Sequence, residues 1–330
     1  MLTNAIAWRR CRNVLAALIA TAAGAGSAWA QAYPTKQIHV IVMHSPGSSG
    51  DTVARTVIPR MSEILGQPMV IENQAGLGGV VGATQLSRAD KDGYTLGVVS
   101  LNYAINPSLT KVTYDPIKDI VPVSIMTSGQ AMLTVNSKVP AKNLQELLAY
   151  ARSKPEQQKL TYGSPGVGSV FHLAFELLAS ATNTHWLHVP YKTSSGFMTD
   201  LMGGQIDAGF VSPGLAVPLI KAGKVRPIAV GSLERAKVLP DVPTLDESGV
   251  PGYDVNSWVA LLAPAGTPDA VIDKLNATAV KVLRMPEVVN SLAEAGYGVT
   301  ASSPQEAQAT IKSDLAKYAK VIKDAGIQIQ

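Results

Sequence analysis

The chain has 330 residues, of which 46% are hydrophobic and 16% charged, with one cysteine and a formal net charge of +4. This length and composition exclude a disordered or fibrous chain and allow two domains, each with its own core. Residues 1–30 hold three arginines and no acidic residue, so the rest of the chain is almost neutral, with 25 basic against 24 acidic side chains. Nucleic-acid binding by a broad basic surface is therefore not expected.

The first 30 residues have the pattern of a secretory signal peptide. Arginines within residues 9–12 precede an apolar run over 14–26, and Ala28-Trp29-Ala30 supplies small residues for cleavage. We expect cleavage after Ala30 and a periplasmic mature chain, since the apolar run is too short for a stable transmembrane helix. A retained membrane anchor is the alternative. Cys11 would leave with this segment, so the mature chain would have no disulfide and no cysteine nucleophile.

In chain order, short β-branched runs alternate with amphipathic stretches. A strand over residues 38–43 precedes a helix over 51–65, and a strand over 69–71 precedes a helix over 80–88. Another strand follows over 95–99. This alternation indicates α/β units on mainly parallel sheets.

Capping signals continue the pattern in the second half of the chain. Asn143 with Glu146 forms a capping box that opens a helix, and Ser303 with Glu306 forms another near the C-terminus. A helix is also expected over 170–180.

Two longer β-like stretches, near residues 122–135 and 253–263, are the expected crossings between domains. Domain 1 would then comprise residues 31–128 and 256–330, and domain 2 residues 129–255. A chain that crosses twice leaves a cleft between two lobes, which a hinge can close on a ligand.

Two loops rich in glycine and serine, residues 44–51 and 162–169, each join a strand to a helix. The first N–H groups of a helix have no intrahelical partner and the helix dipole adds partial positive charge, so both loops favour an anion. Neither loop contains Lys or Arg, so hydrogen bonds and dipoles would hold that anion. For either loop alone, an ordinary turn with a serine cap is the alternative. Asp51, at the start of a helix, is expected to brace the first loop.

Other motifs point to no enzyme or cofactor. Gly76 and Gly78 miss the spacing of a dinucleotide fingerprint and predict a tight turn into a helix. No phosphate loop and no nucleophile elbow occurs. His185 and His188 are separated by two residues around a predicted strand, so their side chains would not share one face. No metal site is therefore expected.

Several segments together resemble the Bug family of periplasmic solute receptors, the TctC-like component of tripartite tricarboxylate transporters. The resemblance covers nearly all of residues 33–330. The matching segments are Pro46-Gly47 with Asp51, Leu65-Gly66-Gln67-Pro68, Asp92-Gly93-Tyr94-Thr95-Leu96, Ala104-Ile105-Asn106-Pro107, Tyr114-Asp115-Pro116, Tyr162-Gly163-Ser164 with His172-Leu173, His188-Val189-Pro190-Tyr191-Lys192, Leu201-Met202-Gly203-Gly204-Gln205-Ile206-Asp207, Leu239-Pro240-Asp241-Val242-Pro243-Thr244 and Ala263-Pro264-Ala265-Gly266-Thr267-Pro268.

The resemblance implies a two-lobed periplasmic-binding-protein (Venus flytrap) fold that grips a small carboxylate between the two loops. It also implies membrane permease subunits as partners, no cofactor, no metal and no nucleic acid; a monomer is expected. The expected ligand-binding residues are His44, Ser45, Gly47, Ser48, Ser49, Gly50, Asp51, Ser164, Gly166, Val167, Gly168, Ser169, His172, Thr193 and Ser212.

The chain departs from the family pattern where ligand identity is decided. Ser45 and Ser48 stand where a proline and a glycine are usual, and His44 stands where a phenylalanine is common. Val211-Ser212 replaces an Asp-Asn pair. Without that acidic residue, the pocket is expected to favour a carboxylate that lacks an amino group. His44 would either donate a hydrogen bond to the ligand or pack against it.

Two other functions remain open on the sequence. A signalling co-receptor would use the same fold to present the ligand to a sensor kinase. A secreted hydrolase would use Ser164 or Ser169 with His172, although no elbow motif supports activation of either serine.

Overall fold

The computed structural model describes residues 33–191, 194–324 and 326, so the expected signal peptide and Thr193 lie outside the described residues. Met1–Lys36 and Gln37–Gln330 are separate units, and the helices and strands below belong to the second. The strands are β1 (Ile38–Val42), β2 (Met69–Asn73), β3 (Thr95–Ser100), β4 (Ile120–Gln130), β5 (Met132–Asn136), β6 (Thr161–Ser164), β7 (Leu187–Pro190), β8 (Ala208–Val211), β9 (Val225–Val230), β10 (Asn256–Pro264) and β11 (Tyr297–Val299). The helices are α1 (Ser49–Leu65), α2 (Val80–Ser87), α3 (Asn102–Leu109), α4 (Leu144–Ser153), α5 (Val170–Thr182), α6 (Ser194–Gly203), α7 (Pro213–Lys221), α8 (Asp269–Leu283), α9 (Pro286–Glu294) and α10 (Pro304–Asp324).

The strands form two sheets. The first has the order β11-β4-β10-β3-β1-β2 and the second β7-β6-β8-β5-β9. In the first sheet β1 pairs in parallel with β2 and β3, and Val40 lies opposite both Ile71 and Leu96. In the second sheet β6 pairs in parallel with β7 and β8. The carboxyl ends of β1 and β3 therefore share one edge of their sheet, and those of β6, β7 and β8 share one edge of the other.

Both sheets are mixed rather than mainly parallel. β10 runs antiparallel to β3 and β4, and β5 runs antiparallel to β8 and β9. The connection between the sheets explains this arrangement. β4 carries the chain from the first sheet into β5 of the second through Ala131 alone, and β10 carries it back into the first sheet in the opposite direction. The predicted two-sheet α/β fold is confirmed, with this change in strand direction. The division into two domains at residues 128 and 256 stays a prediction.

Helices cover the sheets according to their apolar faces. Side chains of α2, α3 and α10 join one buried cluster with β1, β3, β4 and β10. α1 instead packs against α8 and α9. The buried strand β1 has a side chain half exposed only at His39 among its five residues, as expected for a strand covered on both faces. Among the described residues, no helix combines the length and the apolar character that a membrane span requires.

The predicted caps are confirmed. Asn143 accepts a hydrogen bond from the N–H of Glu146 at 2.9 Å and opens α4. Ser303 and Glu306 exchange hydrogen bonds at the start of α10, at 2.8 and 3.2 Å to the backbone N–H groups. The predicted turn after Gly76 is a short 3-10 segment, Leu77–Gly79, that leads into α2.

One helix joins the two cores. Leu173 of α5 is 1% exposed and lies in the cluster of the first sheet, while Phe175 and Leu178 lie in a cluster of the second. Val170, at the start of α5, packs against both clusters. The N-terminus of α5 is therefore in contact with both layers of the molecule.

Candidate functional site

The first loop joins β1 to α1 and ends in a serine cap. The hydroxyl of Ser48 accepts a hydrogen bond from the N–H of Asp51 at 3.3 Å, and its backbone N–H donates to the carbonyl of Ser45 at 3.2 Å. Ser49 and Gly50 are the first residues of α1, so their N–H groups have no acceptor within the helix. Ser45 and Gly47 are exposed. This loop therefore presents N–H donors at the positive end of α1.

The side chain of Asp51 holds the first loop in place through hydrogen bonds. Its buried carboxylate accepts hydrogen bonds from the N–H of Gly47 at 2.9 Å, from Nε of Arg55 at 2.9 and 3.0 Å, and from Nδ2 of Asn73 at 2.9 Å. The amide of Asn73 also donates to the carbonyl of His44 at 3.0 Å.

These contacts also compensate the negative charge of Asp51, which would otherwise repel an anionic ligand. Burial alone would raise its pKa, but the hydrogen bonds from Arg55, Gly47 and Asn73 outweigh burial and hold the pKa below its ordinary value. Because Arg55 pairs with the carboxylate, an anion at the start of α1 does not meet an uncompensated negative charge.

His44 is locked in one tautomer. Its Nε2 lies 3.1 Å from the backbone nitrogen of Ser100, whose N–H donates to it, and 3.1 Å from the hydroxyl of the same residue. A nitrogen that accepts from a backbone N–H carries no proton, so the proton of the neutral ring is on Nδ1. Burial lowers the pKa of His44 to about 4, and the ring is neutral at pH 7.

Glycines make room for the ring of His44. A Cβ on Gly50 would stand 3.0 Å from Cδ2 of His44, and a Cβ on Gly79 would stand 3.5 Å from Cε1. The imidazole therefore lies between the start of α1 and the Gly76–Gly79 turn.

The second loop joins β6 to α5 and repeats the serine cap. The hydroxyl of Ser169 accepts from the N–H of His172 at 3.3 Å, and Nδ1 of His172 accepts from the N–H of Gly168 at 3.1 Å. Gly168 has a φ of +76°, a conformation that favours glycine. Val170 and Phe171 are the first residues of α5, so their N–H groups have no acceptor within the helix. Val167 at the tip of this loop is 46% exposed.

Ser164 lies beneath the second loop rather than on it. Its side chain is fully buried, and its Oγ lies 2.7 Å from Nε2 of His188 and 3.0 Å from the carbonyl of Gly166. The ring of His188 stacks on the ring of His172 with centroids 4.1 Å apart and on that of Tyr162 at 4.7 Å. The hydroxyl of Tyr162 donates to Glu176. The hydroxyl of Ser164 thus supports the loop from inside.

Sequence reasoning missed His188. It stands directly opposite Tyr162 in the parallel register of β6 and β7. The contact between His188 and Tyr162 follows from the pairing of β6 with β7. The register of that pairing could not be predicted, because two four-residue strands have too few residues to show a hydrophobic pattern.

The remaining expected residues are divided between the sheets. Ser212 follows β8, at the same edge of the second sheet as Ser164, and its side chain makes no cap hydrogen bond at the start of α7. Val211 is 1% exposed. Within the described residues, the first loop brings together His44, Gly47, Ser48 and Asp51, and the second brings together Ser164, Gly166, Gly168, Ser169 and His172.

The serines of the two loops are not arranged as nucleophiles. Nδ1 of His172 is occupied by a backbone N–H, and the hydroxyl of Ser169 bonds to the backbone of His172 instead of its ring. Ser164 does contact an imidazole, but its hydroxyl is fully buried. Neither serine meets the geometry that hydrolysis requires.

A cavity of about 570 Å³ opens beside the crossings between the sheets. Its lining includes Gln130 and Asn256, at the two crossings, together with residues from 232–238 and Tyr297 of β11. The amide of Gln130 donates to the hydroxyl of Ser232 and to the carbonyl of Glu234, both at 2.9 Å. No lining residue belongs to either loop, but Tyr297, which lines the cavity, is hydrogen-bonded to the side chain of Ser49 in the first loop.

Comparison with known proteins identifies relatives along the whole described chain. The family model described as "Tripartite tricarboxylate transporter family receptor" (TctC) matches residues 53–327. BugT of Bordetella pertussis is 31% identical over 97% of this chain and 99% of its own.

Solved structures of similar proteins carry bound carboxylates. An R. palustris protein with adipate is 33% identical, with a TM-score of 0.79 over 90% of this chain and 99% of its own. MatC from Rhodopseudomonas palustris with bound malate is 32% identical, with a TM-score of 0.76 over 88% of this chain and 100% of its own. The expected resemblance is thereby confirmed: the chain belongs to the TctC family, the receptors of the tripartite tricarboxylate transporter family, and is a Bug-like solute-binding protein rather than an enzyme.

Proposed function

We propose that this chain is a periplasmic receptor that binds a small carboxylate between its two glycine- and serine-rich loops and delivers it to membrane permease subunits. The observation that carries the proposal is the pair of serine-capped helix N-termini, one on each sheet, with N–H groups at Ser49, Gly50, Val170 and Phe171 that have no intrahelical acceptor. Relatives with bound adipate and malate support the carboxylate as ligand class.

The loops offer dipoles and hydrogen bonds but no cation of their own. Arg55, close to the first loop, is bound to Asp51 and Asn73. A carboxylate at the two N-termini would therefore be held by neutral N–H donors, each of which contributes about 1.5–3 kcal/mol when its acceptor is charged.

The ligand we propose lacks an amino group. A buried ammonium needs a carboxylate partner. Asp51 is occupied by three donors, and the position after Phe210 holds the buried Val211. Asp200 accepts a hydrogen bond from the hydroxyl of Tyr191 at 2.7 Å. A di- or tricarboxylate or an aromatic acid fits this arrangement better than an amino acid.

The first experiment identifies the ligand. The purified protein is denatured, and released small molecules are measured by mass spectrometry. Calorimetric titration then compares malate, adipate and the matched pair succinate and aspartate. We expect a carboxylate without an amino group to bind more tightly than its amino-acid counterpart. Tighter binding of aspartate would contradict the assignment at Val211, and binding of none of these compounds with none released would overturn the proposed function.

Proline substitutions at the first helical position test the N–H donors. Proline is well accommodated there, and the preceding caps Ser48 and Ser169 have the extended backbone that it requires. Ser49→Pro and Val170→Pro each remove one donor together with a side chain, so each is compared with Ser49→Ala or Val170→Ala, which lose the side chain but keep the N–H. Relative to these, each proline variant should weaken carboxylate binding about tenfold or more.

The matched control is Asp269→Pro, at the exposed first position of α8. It makes the same backbone change at a helix outside the two loops and should leave affinity unchanged. Wild-type affinity in both loop variants would rule out the helix N-termini as the binding site.

A further inference from the structure

We propose that His44 determines ligand specificity by donating a hydrogen bond from Nδ1 to a second oxygen acceptor of the ligand, distinct from the carboxylate held at the helix N-termini. This inference rests on the proposed function. It predicts a preference for carboxylates with a second carboxylate or carbonyl oxygen over simple monocarboxylates.

The free donor follows from the locked ring. Ser100 occupies Nε2, so Nδ1 carries the proton. Nδ1 has no hydrogen-bond partner among the described residues. The fully buried side-chain polar atoms without a partner in the described part of the chain are the hydroxyls of Tyr114, Thr127 and Tyr318, so Nδ1 of His44 is not fully buried. The ring as a whole is only partly exposed.

The direction of Nδ1 separates it from the first carboxylate. Cδ2 is the ring atom that faces Gly50 at the start of α1. Nδ1 lies across the imidazole from Cδ2, on the side of Cε1, which faces Gly79. We therefore place the carboxylate held at the N-terminus of α1 on the Cδ2 side of the ring and the second acceptor on the Nδ1 side. Two separate acceptors on one ligand satisfy both.

The chemistry of this donor restricts the ligand. A neutral imidazole N–H binds a carboxylate, carbonyl or hydroxyl oxygen and offers nothing to an ammonium group. A hydrophobic ligand end would leave the donor without a partner once water is excluded, which is costly. A phenylalanine at position 44 would fill similar space without this discrimination.

Calorimetry with matched ligands tests the inference. Succinate has a second carboxylate, 4-oxopentanoate has a carbonyl, and butyrate and pentanoate have neither. The wild-type protein should bind succinate more tightly than butyrate, or 4-oxopentanoate more tightly than pentanoate. The pair that shows the preference identifies the second acceptor as a carboxylate or a carbonyl oxygen. His44→Phe should reduce that preference about tenfold or more and change monocarboxylate affinity little.

His39→Phe is the matched control, because His39 is a half-exposed histidine on β1 outside the loop. It should leave the preference intact. Equal losses for both ligand types in His44→Phe would show that His44 only shapes the loop and would overturn the inference. A wild-type protein that prefers neither succinate nor 4-oxopentanoate over its counterpart would also overturn the inference. Failure of every carboxylate to bind, with none released from the denatured protein, would instead overturn the proposed function.

If His44→Phe fails to fold, nitrogen NMR of the histidine side chains in the wild-type protein tests the inference without a variant. We expect the Nδ1–H tautomer without ligand, and a shift of the Nδ1 and attached proton resonances on addition of the preferred ligand but not of butyrate. An Nε2–H tautomer, or resonances that do not move with any bound carboxylate, would contradict the inference.

Discussion

Asp51 is the residue on which the shape of the first loop depends. Its carboxylate accepts from a loop N–H, from a guanidinium one turn along α1 and from an amide at the end of β2. The sequence predicted the bracing role from its place at a helix start. Arg55 lies four residues after Asp51 on the same helix, a spacing that indicates an ion pair. Asn73 could not be predicted, because it reaches Asp51 only through the pairing of β1 with β2.

Removing this carboxylate should destabilise the protein. Asp51→Ala leaves the N–H of Gly47 and the amide of Asn73 without their acceptor, so we expect a loss of about 2–3 kcal/mol in the free energy of unfolding. Urea denaturation measures the change.

Glu63→Ala provides the comparison on the same helix. Glu63 is an exposed residue paired with Arg60, and its loss should cost less than about 1 kcal/mol. Similar losses for the two variants would show that the contacts of Asp51 do not stabilise the loop.

At the scale of elements, sequence patterns located the helices and strands well but not the contacts between them. The capping residues of α4 and α10 and the loops before α1 and α5 are local signals, carried by neighbouring residues. The stack between α5 and β7 is not local. His172 and His188 meet because β7 pairs beside β6, and strand order is a property of the whole sheet.

This stack makes stability depend on pH. Burial and, to a smaller extent, the neighbouring His188 lower the pKa of His172 to about 4, and burial lowers that of His188 to about 4. Tyr162 and Glu176 face the same pair, with Nε2 of His172 4.0 Å from the carboxylate of Glu176.

The unfolded chain binds protons on these histidines near pH 6.5, whereas the folded chain binds them only near pH 4. The contribution of these two histidines to stability should therefore be constant above pH 6.5 and fall as pH decreases from 6.5 to 4, by at most about 1.4 kcal/mol per pH unit for each histidine. His44, whose pKa is lowered in the same way, adds to the same slope. Urea denaturation at several pH values in this range measures the slope.

His188→Gln should reduce that slope, because one titrating group is removed. His185→Gln, an exposed position three residues earlier, should leave it unchanged. An equal slope in the wild type and His188→Gln would exclude His188 as a source of the acid sensitivity.

At the scale of the whole molecule, the two candidate loops lie on different sheets that are joined through short crossings. Ala131 alone separates β4 from β5, and Val255 directly precedes β10. Both residues bond to Gly231: the N–H of Gly231 donates to the carbonyl of Ala131, and its carbonyl accepts from Val255, each at 2.6 Å. The alternation of strand and helix patterns predicted two sheets, and the β-like runs near residues 122–135 and 253–263 were the expected crossings. The antiparallel strands follow from the crossings and were not evident from local pattern.

A ligand that contacts both loops should shift the molecule towards a closed form, because it binds that form more tightly. We expect a smaller radius of gyration in small-angle scattering at saturating concentrations of a bound carboxylate. Ser49→Pro, which loses a donor on one loop, should need more ligand for the same change. The same radius with and without ligand would contradict closure.

The order of the strands along the chain has a consequence for how the protein is made. All five strands of the second sheet come from the continuous stretch between Met132 and Val230, so that sheet can assemble as soon as this stretch is available. The first sheet cannot, because β3 needs β10, and Ser100 pairs with Val259 from the far side of the inserted stretch. Such distant pairing carries a large loop-closure cost and slows folding. During synthesis from the N-terminus, β1, β2 and β3 can pair with one another early, but β10 cannot join β3 to β4 until the stretch that forms the second sheet has been made. The sheet that begins the chain is therefore the last to close.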